Sequence, residues 1–262
     1  MDIQFYKFQG TGNDFVLLDN RQGGLMLSQQ EVANICDRRF GVGADGLMLL
    51  QEKTGYDFEM IYYNADGNLS SMCGNGGRCI TAFAKLKGII STKAHFLAVD
   101  GEHEAFIEGS ERIFNVKLRM NDVQKIETKG KDLLINTGSP HYIKQISNVA
   151  EADVYTMGKE IRYSEDFKQN GINVNFIEST LEKGLFVRTY ERGVEDETYS
   201  CGTGVTASVL AAHQMKIITA APVEVKTLGG KLKVHFKETN AGYTDIFLEG
   251  PVKFVFEGIA YV

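Results

Sequence analysis

The chain has little of several features that mark special classes of protein. It has no tryptophan, three prolines and four cysteines among 262 residues. It has no apolar run long enough to cross a membrane, and its start, Met1–Lys7, lacks the basic and apolar regions of a secretory signal peptide. We therefore expect a cytoplasmic protein with no membrane partner, in which the four cysteines are reduced thiols.

The chain also lacks an excess of positive charge. The formal net charge is −6, and no block of lysines and arginines interrupts the chain, which argues against nucleic acid as a partner. With 43% hydrophobic and 24% charged residues, the composition is that of an ordinary globular protein. The length fits either one large domain or two of usual size.

Two short segments share an unusual pattern. In Met72–Arg78 and in Ser200–Thr206, a cysteine precedes a glycine-rich turn, and an apolar pattern with helical spacing follows. Each cysteine, Cys73 and Cys201, is thus predicted to lie at a helix N-terminus. There the backbone N–H groups and the helix dipole favour a thiolate.

The similarity between the two halves extends beyond the cysteines. Gly12 is separated from the comparable Gly138 by 126 residues, and Cys73 from Cys201 by 128. We interpret this nearly constant offset as an internal duplication. It predicts two homologous domains related by approximate twofold symmetry, residues 1–120 and 121–251, with residues 252–262 as a possible last strand of the first domain.

Short alternating runs predict that strands dominate the fold. Phe114–Met120 alternates apolar and polar residues, and Lys231–Phe236 and Asp245–Leu248 also indicate strands. Helices are few: a capping box at Ser28–Glu31 predicts one whose apolar face includes Val32, Ile35, Cys36 and Phe40. The fold class predicted is α+β, with a barrel-like sheet around one principal helix in each domain.

Two activated thiols in matching settings suggest a reaction with two proton-transfer positions. Racemisation or epimerisation at an amino-acid α-carbon needs a base on one face and an acid on the other, and a thiolate–thiol pair supplies both. Backbone N–H groups at Gly74, Asn75, Gly202 and Thr203 would stabilise the charge next to a carboxylate. We therefore expect no cofactor.

The other two cysteines and the glycine-rich turns carry simpler interpretations. Cys36 and Cys79 fall on apolar helix faces and are predicted to be buried small hydrophobes. We expect no metal site, because the spacing of the cysteines does not match a structural zinc site. The turns lack the lysine and the glycine spacing of phosphate-binding and dinucleotide-binding loops.

Several polar residues at predicted strand ends and turns are candidates for binding a zwitterion. These are Asn13, Asn64, Asn173, Glu191 and Arg192. For each one alone a solvated turn residue is the alternative, and their recurrence in both halves favours a site. Arg192 suits a bidentate contact with a carboxylate. His141, in a turn after Pro140, is either structural or a local base near the thiols.

These motifs together resemble the diaminopimelate epimerase family over essentially the whole chain. The motifs that carry the resemblance are Gly12–Phe15, Gly41–Gly46, Tyr63–Gly67, Met72–Gly76, Pro140–His141, Asn173, Tyr190–Gly193 and Cys201–Gly204. The resemblance implies two similar domains with the active site in the cleft between them. It implies cofactor-free interconversion of LL- and meso-2,6-diaminopimelate, a step in lysine and peptidoglycan-precursor synthesis.

The resemblance also implies roles for individual residues. Cys73 and Cys201 match the proton donor and acceptor, and His141 and Glu191 match positions that assist catalysis. The positions that match substrate contacts are Asn13, Asn64, Gly74, Asn75, Ser139, Asn173, Glu191, Arg192, Gly202 and Thr203. Two features depart from the family pattern: some members carry glutamine where this chain has Gly46, and the segment between Arg192 and Cys201 is about one residue longer.

Two alternatives remain at the level of the sequence. Proline racemase-like enzymes share the two-cysteine logic but favour Cys-Gly-His-Gly at the first cysteine, where this chain has Asn75. A thiol-based binding or redox-sensing protein is the alternative from another class. The expected partner is a small amino-acid substrate, and the sequence leaves a homodimer open.

Overall fold

The computed structural model describes residues 1–70 and 72–262. The chain divides into two compact units. Unit 1 comprises Met1–Leu118 and Gly250–Val262, and unit 2 comprises Arg119–Glu249.

The first half of the chain contains seven strands and two helices among the described residues. The strands are β1 (Asp2–Gly10), β2 (Asn13–Asp19), β3 (Gly46–Gln51), β4 (Phe58–Asn64), β5 (Lys93–Ala98), β6 (Gly101–Ser110) and β7 (Ile113–Arg119). The helices are α1 (Gln29–Cys36) and α2 (Gly74–Leu86).

The second half continues with nine strands, two α-helices and a short 3-10 helix at Val149–Glu151. The strands are β8 (Ile126–Lys129), β9 (Asp132–Asn136), β10 (Pro140–Gln145), β11 (Asn173–Ser179), β12 (Leu185–Glu191), β13 (Asp196–Thr198), β14 (Val223–Thr227), β15 (Gly230–Thr239) and β16 (Gly242–Tyr261). The helices are α3 (Val154–Arg162) and α4 (Gly202–Gln214).

The sheet of unit 1 closes on itself. Neighbouring strands follow the order β1–β2–β3–β4–β5–β6–β7–β16, and β16 also pairs with β1. Closure leaves no exposed sheet edge, and the side chains that alternate inward along each strand surround a single interior. The predicted α+β class with a barrel-like sheet is confirmed.

Unit 2 repeats the pairing pattern of unit 1. In unit 1, β2 runs parallel to β3, β3 antiparallel to β4 and β4 parallel to β5. In unit 2, β10 runs parallel to β11, β11 antiparallel to β12 and β12 parallel to β14. Parallel neighbours need a crossover, and in each unit the second crossover contains the helix that follows the cysteine. The shared order of connections is what an internal duplication predicts.

The principal helix of each unit is enclosed by strands. Helix α2 packs against β1, β2, β3 and β6, and α4 packs against β9 to β12, β14 and β15. Only two of the 13 residues of α2 and three of the 13 of α4 escape full burial. Both helices begin with glycine-rich sequence of low helix propensity, so burial of apolar surface stabilises them more than propensity does.

Helix α1 begins as predicted and ends earlier. Ser28 caps the helix through the reciprocal hydrogen bonds with Glu31 that define a capping box, and Val32, Ile35 and Cys36 are buried. The prediction for Phe40 was wrong: it lies beyond the helix end and is 92% exposed. The helix stops because the Asp37 side chain accepts hydrogen bonds from the backbone of the next turn, which competes with continuation.

No helix in the described part of the chain is long and apolar enough to span a bilayer.

Helix α3, which the sequence analysis did not anticipate, packs closely on β12 through Gly158. A Cβ atom at Gly158 would lie 2.3 Å from Cβ of Tyr190, which is itself fully buried. Glycine to alanine in a helix normally stabilises by about 1 kcal/mol. Here the clash with Tyr190 outweighs that stabilisation, so Gly158→Ala should lower the free energy of unfolding by about 1–3 kcal/mol.

Urea denaturation of the purified variant measures this change. Glu160→Ala, an exposed substitution on the same helix, is the matched control and should leave the unfolding midpoint nearly unchanged. A midpoint for Gly158→Ala equal to or above that of the wild type would contradict the packing described here.

Candidate active site

Cys73 and Cys201 occupy equivalent positions in their units. Each is the N-cap of the enclosed helix, with nearly the same backbone angles: φ −111° and ψ 124° at Cys73, φ −108° and ψ 114° at Cys201. The first intrahelical backbone bonds run from Gly77 N to Cys73 O (2.7 Å) and from Val205 N to Cys201 O (2.9 Å). The N–H groups of the first three residues of each helix therefore have no intrahelical acceptor and create a positive end of the dipole beside the thiol.

In unit 1, Cys73 contacts Asn13, which is also bonded to Asn75. Its Sγ lies 3.6 Å from Asn13 Oδ1, which also accepts a hydrogen bond from Asn75 Nδ2 at 3.3 Å. The amide nitrogen of Asn13 donates to Asp45 Oδ2 at 2.6 Å. Because a carboxylate only accepts, this bond fixes the orientation of the Asn13 amide and turns its oxygen toward the thiol.

A buried arginine supports the same helix start. Arg78 is completely buried, and its Nη2 donates to Asn75 Oδ1 at 2.6 Å and to Thr11 Oγ1 at 3.2 Å, while its Nη1 donates to Pro251 O at 3.2 Å. Burial lowers the pKa of Arg78 to about 10, so the guanidinium stays charged at neutral pH. A desolvated cation one turn from Cys73 favours negative charge on that side of unit 1.

Charged residues around the start of β2 form a network beside Asn13. Arg38 Nη2 contacts Asp14 Oδ1 at 2.6 Å and Asp45 Oδ1 at 2.7 Å, and Lys7 Nζ contacts Asp14 Oδ2 at 2.7 Å. Burial would raise the pKa of Asp14, but hydrogen bonds from Arg38 and Lys7 outweigh it and lower the pKa to about 2. The network holds Asp45 in place, and Asp45 in turn orients Asn13.

In unit 2, Cys201 contacts a hydroxyl group. Its Sγ is 3.4 Å from Thr203 Oγ1, which is 3.0 Å from His141 Nε2. Burial, with a smaller contribution from the charge of Arg192, lowers the pKa of His141 to about 3, so the imidazole is neutral at physiological pH. The histidine thus reaches the thiol through a hydroxyl group rather than directly.

Three more of the predicted residues, Ser139, Asn173 and Arg192, meet in a second group of unit 2. Asn173 Nδ2 donates to Ser139 Oγ at 3.1 Å and to Pro140 O at 3.2 Å, and Asn173 Oδ1 accepts from Arg192 N at 2.9 Å. The Arg192 guanidinium donates to Asn170 O at 3.0 Å and lies 3.5 Å from Ser139 Oγ. A backbone oxygen therefore holds Nη1 of the guanidinium, and this contact fixes the direction of Nη2.

The remaining candidates lie at strand ends and helix starts. Asn64 is exposed at the end of β4, opposite Gly46, and Glu191 ends β12, opposite Asp196. Gly74 and Gly202 are the first residues of α2 and α4.

The structure explains both departures from the family pattern. At Gly46 a Cβ would lie 2.5 Å from the Tyr62 ring and 2.6 Å from Tyr63 O. The Tyr62 ring therefore occupies the space that a longer side chain would need. The extended segment before Cys201 is ordered by β13, which pairs with β12, and by the Arg188–Glu197 ion pair at 2.6 Å.

The other two cysteines do not lie at helix starts. Cys36 is 3% exposed and Cys79 is fully buried. Their predicted burial is confirmed. Burial raises the pKa of Cys36 to about 12 and raises that of Cys79 further, which disfavours the thiolate at neutral pH.

Within residues 1–70 and 72–262, no group of three or more histidine, cysteine or acidic side chains is arranged to hold a metal ion. The absence of a metal or cofactor requirement remains a prediction.

Sequence reasoning missed the residues that support the candidates. Arg78 follows Cys73 by five positions and sits on a face that is otherwise apolar, which was the one available signal. The sequence did not reveal that Asp45 and Arg38 are linked to Asn13. Asp45 lies 31 positions after Asp14, the neighbour of Asn13, and the contact between these residues depends on sheet register. Asn175, buried beside His141, is isolated among apolar neighbours in β11.

Comparison with known sequences defines the class of the protein. The family model described as diaminopimelate epimerase matches residues 5–126 and 133–255, one segment in each half. Proteins named diaminopimelate epimerase from Flavobacterium psychrophilum and Chlorobaculum tepidum are 46% and 42% identical. The first alignment covers 97% of this chain and 99% of the relative, and the second covers 95% and 98%.

Solved structures that are similar show the same fold at much lower identity. A phenazine biosynthesis protein of the PhzF family from Bacillus anthracis superposes with a TM-score of 0.77 at 15% identity, over 100% of both chains. A hydroxyproline epimerase from Agrobacterium vitis superposes with a TM-score of 0.69 at 12% identity, over 98% of this chain and 92% of the other.

The fold and the sequence relatives together define an enzyme of the isomerase class, an epimerase. The chain belongs to the diaminopimelate epimerase family.

The buried, neutral His141 predicts a specific pH dependence of stability. In the unfolded chain this histidine takes up a proton near pH ~6.5, whereas in the folded protein it stays neutral down to about 3. Its contribution to stability is therefore complete above the unfolded pKa and is lost as the pH falls below it.

Urea unfolding between pH 7.5 and 4.5 tests this prediction. The free energy of unfolding should fall with pH more steeply in the wild type than in His141→Gln, by up to ~1.4 kcal/mol per pH unit. Both proteins contain the same carboxylates, so the difference between their two pH slopes does not include the titration of the carboxylates. Parallel curves for the two proteins would show that His141 is protonated in the folded state.

Proposed function

We propose that this chain interconverts LL- and meso-2,6-diaminopimelate without a cofactor, with Cys73 and Cys201 as the two acid–base groups. The observation that carries the proposal is the repeated cysteine N-cap at a buried helix start, in a chain of the diaminopimelate epimerase family. The relatives bearing that name support the substrate. The reaction belongs to lysine and peptidoglycan-precursor synthesis, in the cytoplasm.

The proton balance of the proposed reaction is simple. One cysteine acts as a thiolate and removes the α-proton, and the other acts as a thiol and delivers a proton to the opposite face of the same carbon. The enzyme ends the turnover with the two protonation states exchanged, ready for the reverse direction. The two thiols titrate as a coupled pair that shares one proton.

The difficult step is the formation of negative charge next to the substrate carboxylate. The N–H groups at the starts of α2 and α4 are preorganised donors that need no rearrangement during the reaction. A carboxylate bound there is stabilised by both the hydrogen bonds and the helix dipole. The glycines at Gly74 and Gly202 remove the side chain that would keep the substrate away from the backbone.

The polar residues supply recognition of the two ends of diaminopimelate. Arg192, oriented by Asn170 and Ser139, is suited to a carboxylate, and its guanidinium cannot act as a base at neutral pH. The amide and carboxylate oxygens of Asn64, Asn173 and Glu191 suit an ammonium group.

A cofactor-independent racemase acting on proline or hydroxyproline is the second candidate. The TM-score of 0.69 with a hydroxyproline epimerase favours only the fold. Asn75, in place of the histidine of proline racemase-like enzymes, and Arg192, suited to a second carboxylate, favour diaminopimelate.

The direct test is an assay with LL-diaminopimelate in deuterated water and purified protein dialysed against a chelator. We expect conversion to the meso isomer and deuterium at the α-carbon, with no stimulation by pyridoxal phosphate or divalent metal. Proline and hydroxyproline, tested in parallel, should not exchange. Activity that disappears on dialysis and returns with either additive would reject the mechanism.

Substitution of the cysteines separates the two proposed acid–base groups from the two inert thiols. Cys73→Ala and Cys201→Ala should each reduce epimerisation below detection, because one face of the α-carbon then lacks its proton carrier. Cys36→Ala and Cys79→Ala are the matched controls and should retain turnover when folded. Near-normal turnover in either of the first two variants would refute the assignment of the pair.

Arg192→Lys tests recognition of the carboxylate. Lysine keeps the charge and loses the fork, and a charge-assisted bond contributes ~1.5–3 kcal/mol, so kcat/KM should fall on the order of a hundredfold. The pH profile of kcat/KM should keep its shape. Arg112→Lys, at an exposed arginine of unit 1, is the control. A strong shift of the profile with unchanged KM would mean that Arg192 tunes a cysteine instead.

A further inference from the structure

The polar contacts around His141 continue beyond the residues that the proposed function uses. On the side away from Thr203, His141 Nδ1 lies 3.1 Å from Asn175 Nδ2. Asn175 and His141 are both completely buried, and Thr189, which contacts Asn175, is 3% exposed. Buried polar groups of this kind are held by their hydrogen bonds, so the direction of each bond can be worked out from its partners.

The orientation of the Asn175 amide is fixed from two sides. Its nitrogen also lies 3.3 Å from the backbone oxygen of Tyr142, and a carbonyl oxygen can only accept. Its oxygen accepts a hydrogen bond from Thr189 Oγ1 at 2.9 Å. The amide nitrogen therefore faces His141 and donates to Nδ1.

The direction of this bond decides which nitrogen of His141 carries the proton. Since Nδ1 accepts and the neutral ring has a single proton, the proton resides on Nε2. Nε2 then donates to Thr203 Oγ1, whose own hydrogen is left to point to Cys201 Sγ, 3.4 Å away. The hydrogen bonds in the row Thr189, Asn175, His141 and Thr203 thus all run in one direction, toward Cys201.

We infer that Asn175 is a positioning residue: it holds His141 in the Nε2–H tautomer, so that Thr203 donates its hydroxyl hydrogen to Cys201 and stabilises the thiolate. In this arrangement His141 acts as a hydrogen-bond donor through Thr203 and does not take the proton of Cys201. The inference deepens the proposed function and rests on it for the role of the thiolate, but the hydrogen-bond directions do not depend on the substrate.

The packing of α4 makes room for this row of bonds. A Cβ at Gly204 would lie 2.4 Å from Asn175 Oδ1 and 3.3 Å from His141 Cε1. The second glycine of the Cys-Gly-Thr-Gly motif thus lets the buried amide and the imidazole approach the helix start. The charge of Arg192 contributes to the pKa of the histidine, and like burial it favours the neutral ring.

The tautomer can be observed without any assay of activity. Protein labelled with 15N-histidine gives nitrogen resonances that distinguish a protonated from an unprotonated ring nitrogen, and His141→Gln identifies the signals of His141 by their loss. We expect the wild type to show one tautomer, with the proton on Nε2. A proton on Nδ1, or an even mixture of tautomers, would overturn the inference.

Two variants test whether Asn175 sets the tautomer. Asn175→Leu removes the donor and keeps the branching of the side chain, and Thr189→Val removes the bond that orients the amide. Asn175→Leu should convert the single tautomer into a mixture or reverse it. Thr189→Val should have the same effect to a smaller degree. Thr227→Val, at a buried threonine whose hydroxyl donates to Gly230 O at 3.0 Å, is the matched control and should leave His141 unchanged. An unchanged tautomer in folded Asn175→Leu, or in Thr189→Val where the first variant does not fold, would overturn the role of Asn175.

Thiol reactivity tests the link to Cys201. The rate of alkylation by iodoacetamide at fixed pH, followed by peptide mass spectrometry, reports Cys201 and Cys73 separately. Asn175→Leu should slow alkylation of Cys201 about threefold or more, because the thiolate loses a donor, and should leave Cys73 unaffected. Equal rates at Cys201 in the wild type and the variant would overturn the link. If the wild type failed to epimerise diaminopimelate, the proposed function would fall while these two measurements would still stand or fail independently.

Discussion

Each unit depends on a helix that is enclosed by its own sheet and begins at a cysteine. Because α2 and α4 are buried along nearly their whole length, their positions are fixed from all sides, and so is the point where each begins. The backbone N–H groups at that point have no intrahelical acceptor, and the glycines that follow leave the backbone uncovered. The residues beside each cysteine are arranged around this end of the helix: asparagines and an arginine in unit 1, a threonine and a histidine in unit 2.

The side chains that support the cysteine at the helix start differ between the two units. Around Cys73 the support is ionic: a buried guanidinium at Arg78, and an asparagine oriented by Asp45, which Arg38 holds in turn. Around Cys201 the contacts described above are a hydroxyl and, through it, an uncharged imidazole. Duplication preserved the backbone geometry while the side chains diverged. The proposed two-base reaction does not need identical bases, since in it one thiol holds the proton that the other lacks, and unequal surroundings are compatible with that division.

How much of this structure could be predicted from the sequence depends on how far apart in the sequence the interacting residues lie. The α+β class, the strand at β7 and both cysteine-capped helices depend on local patterns of apolar residues and glycines, and these were predictable. Phe40 was misplaced because the Asp37 side chain ends α1 by a competing hydrogen bond that periodicity does not reveal. Arg78, Asp45 and Asn175 were missed as supports because their partners come from other strands or from the start of a buried helix. No local pattern identifies a buried asparagine as the partner of a histidine 34 positions earlier.

The long strand β16 has a consequence for how the molecule is made. It begins in unit 2 at Gly242, and its portion from Gly250 onward belongs to unit 1, where it pairs with both β1 and β7 and closes the barrel. During synthesis the ribosome must complete all of unit 2 before the barrel of unit 1 can close. Until then the edges of β1 and β7 are unpaired. The first half of the chain therefore finishes folding last, and the nascent barrel is exposed to wrong strand pairing for as long as translation of the second half takes.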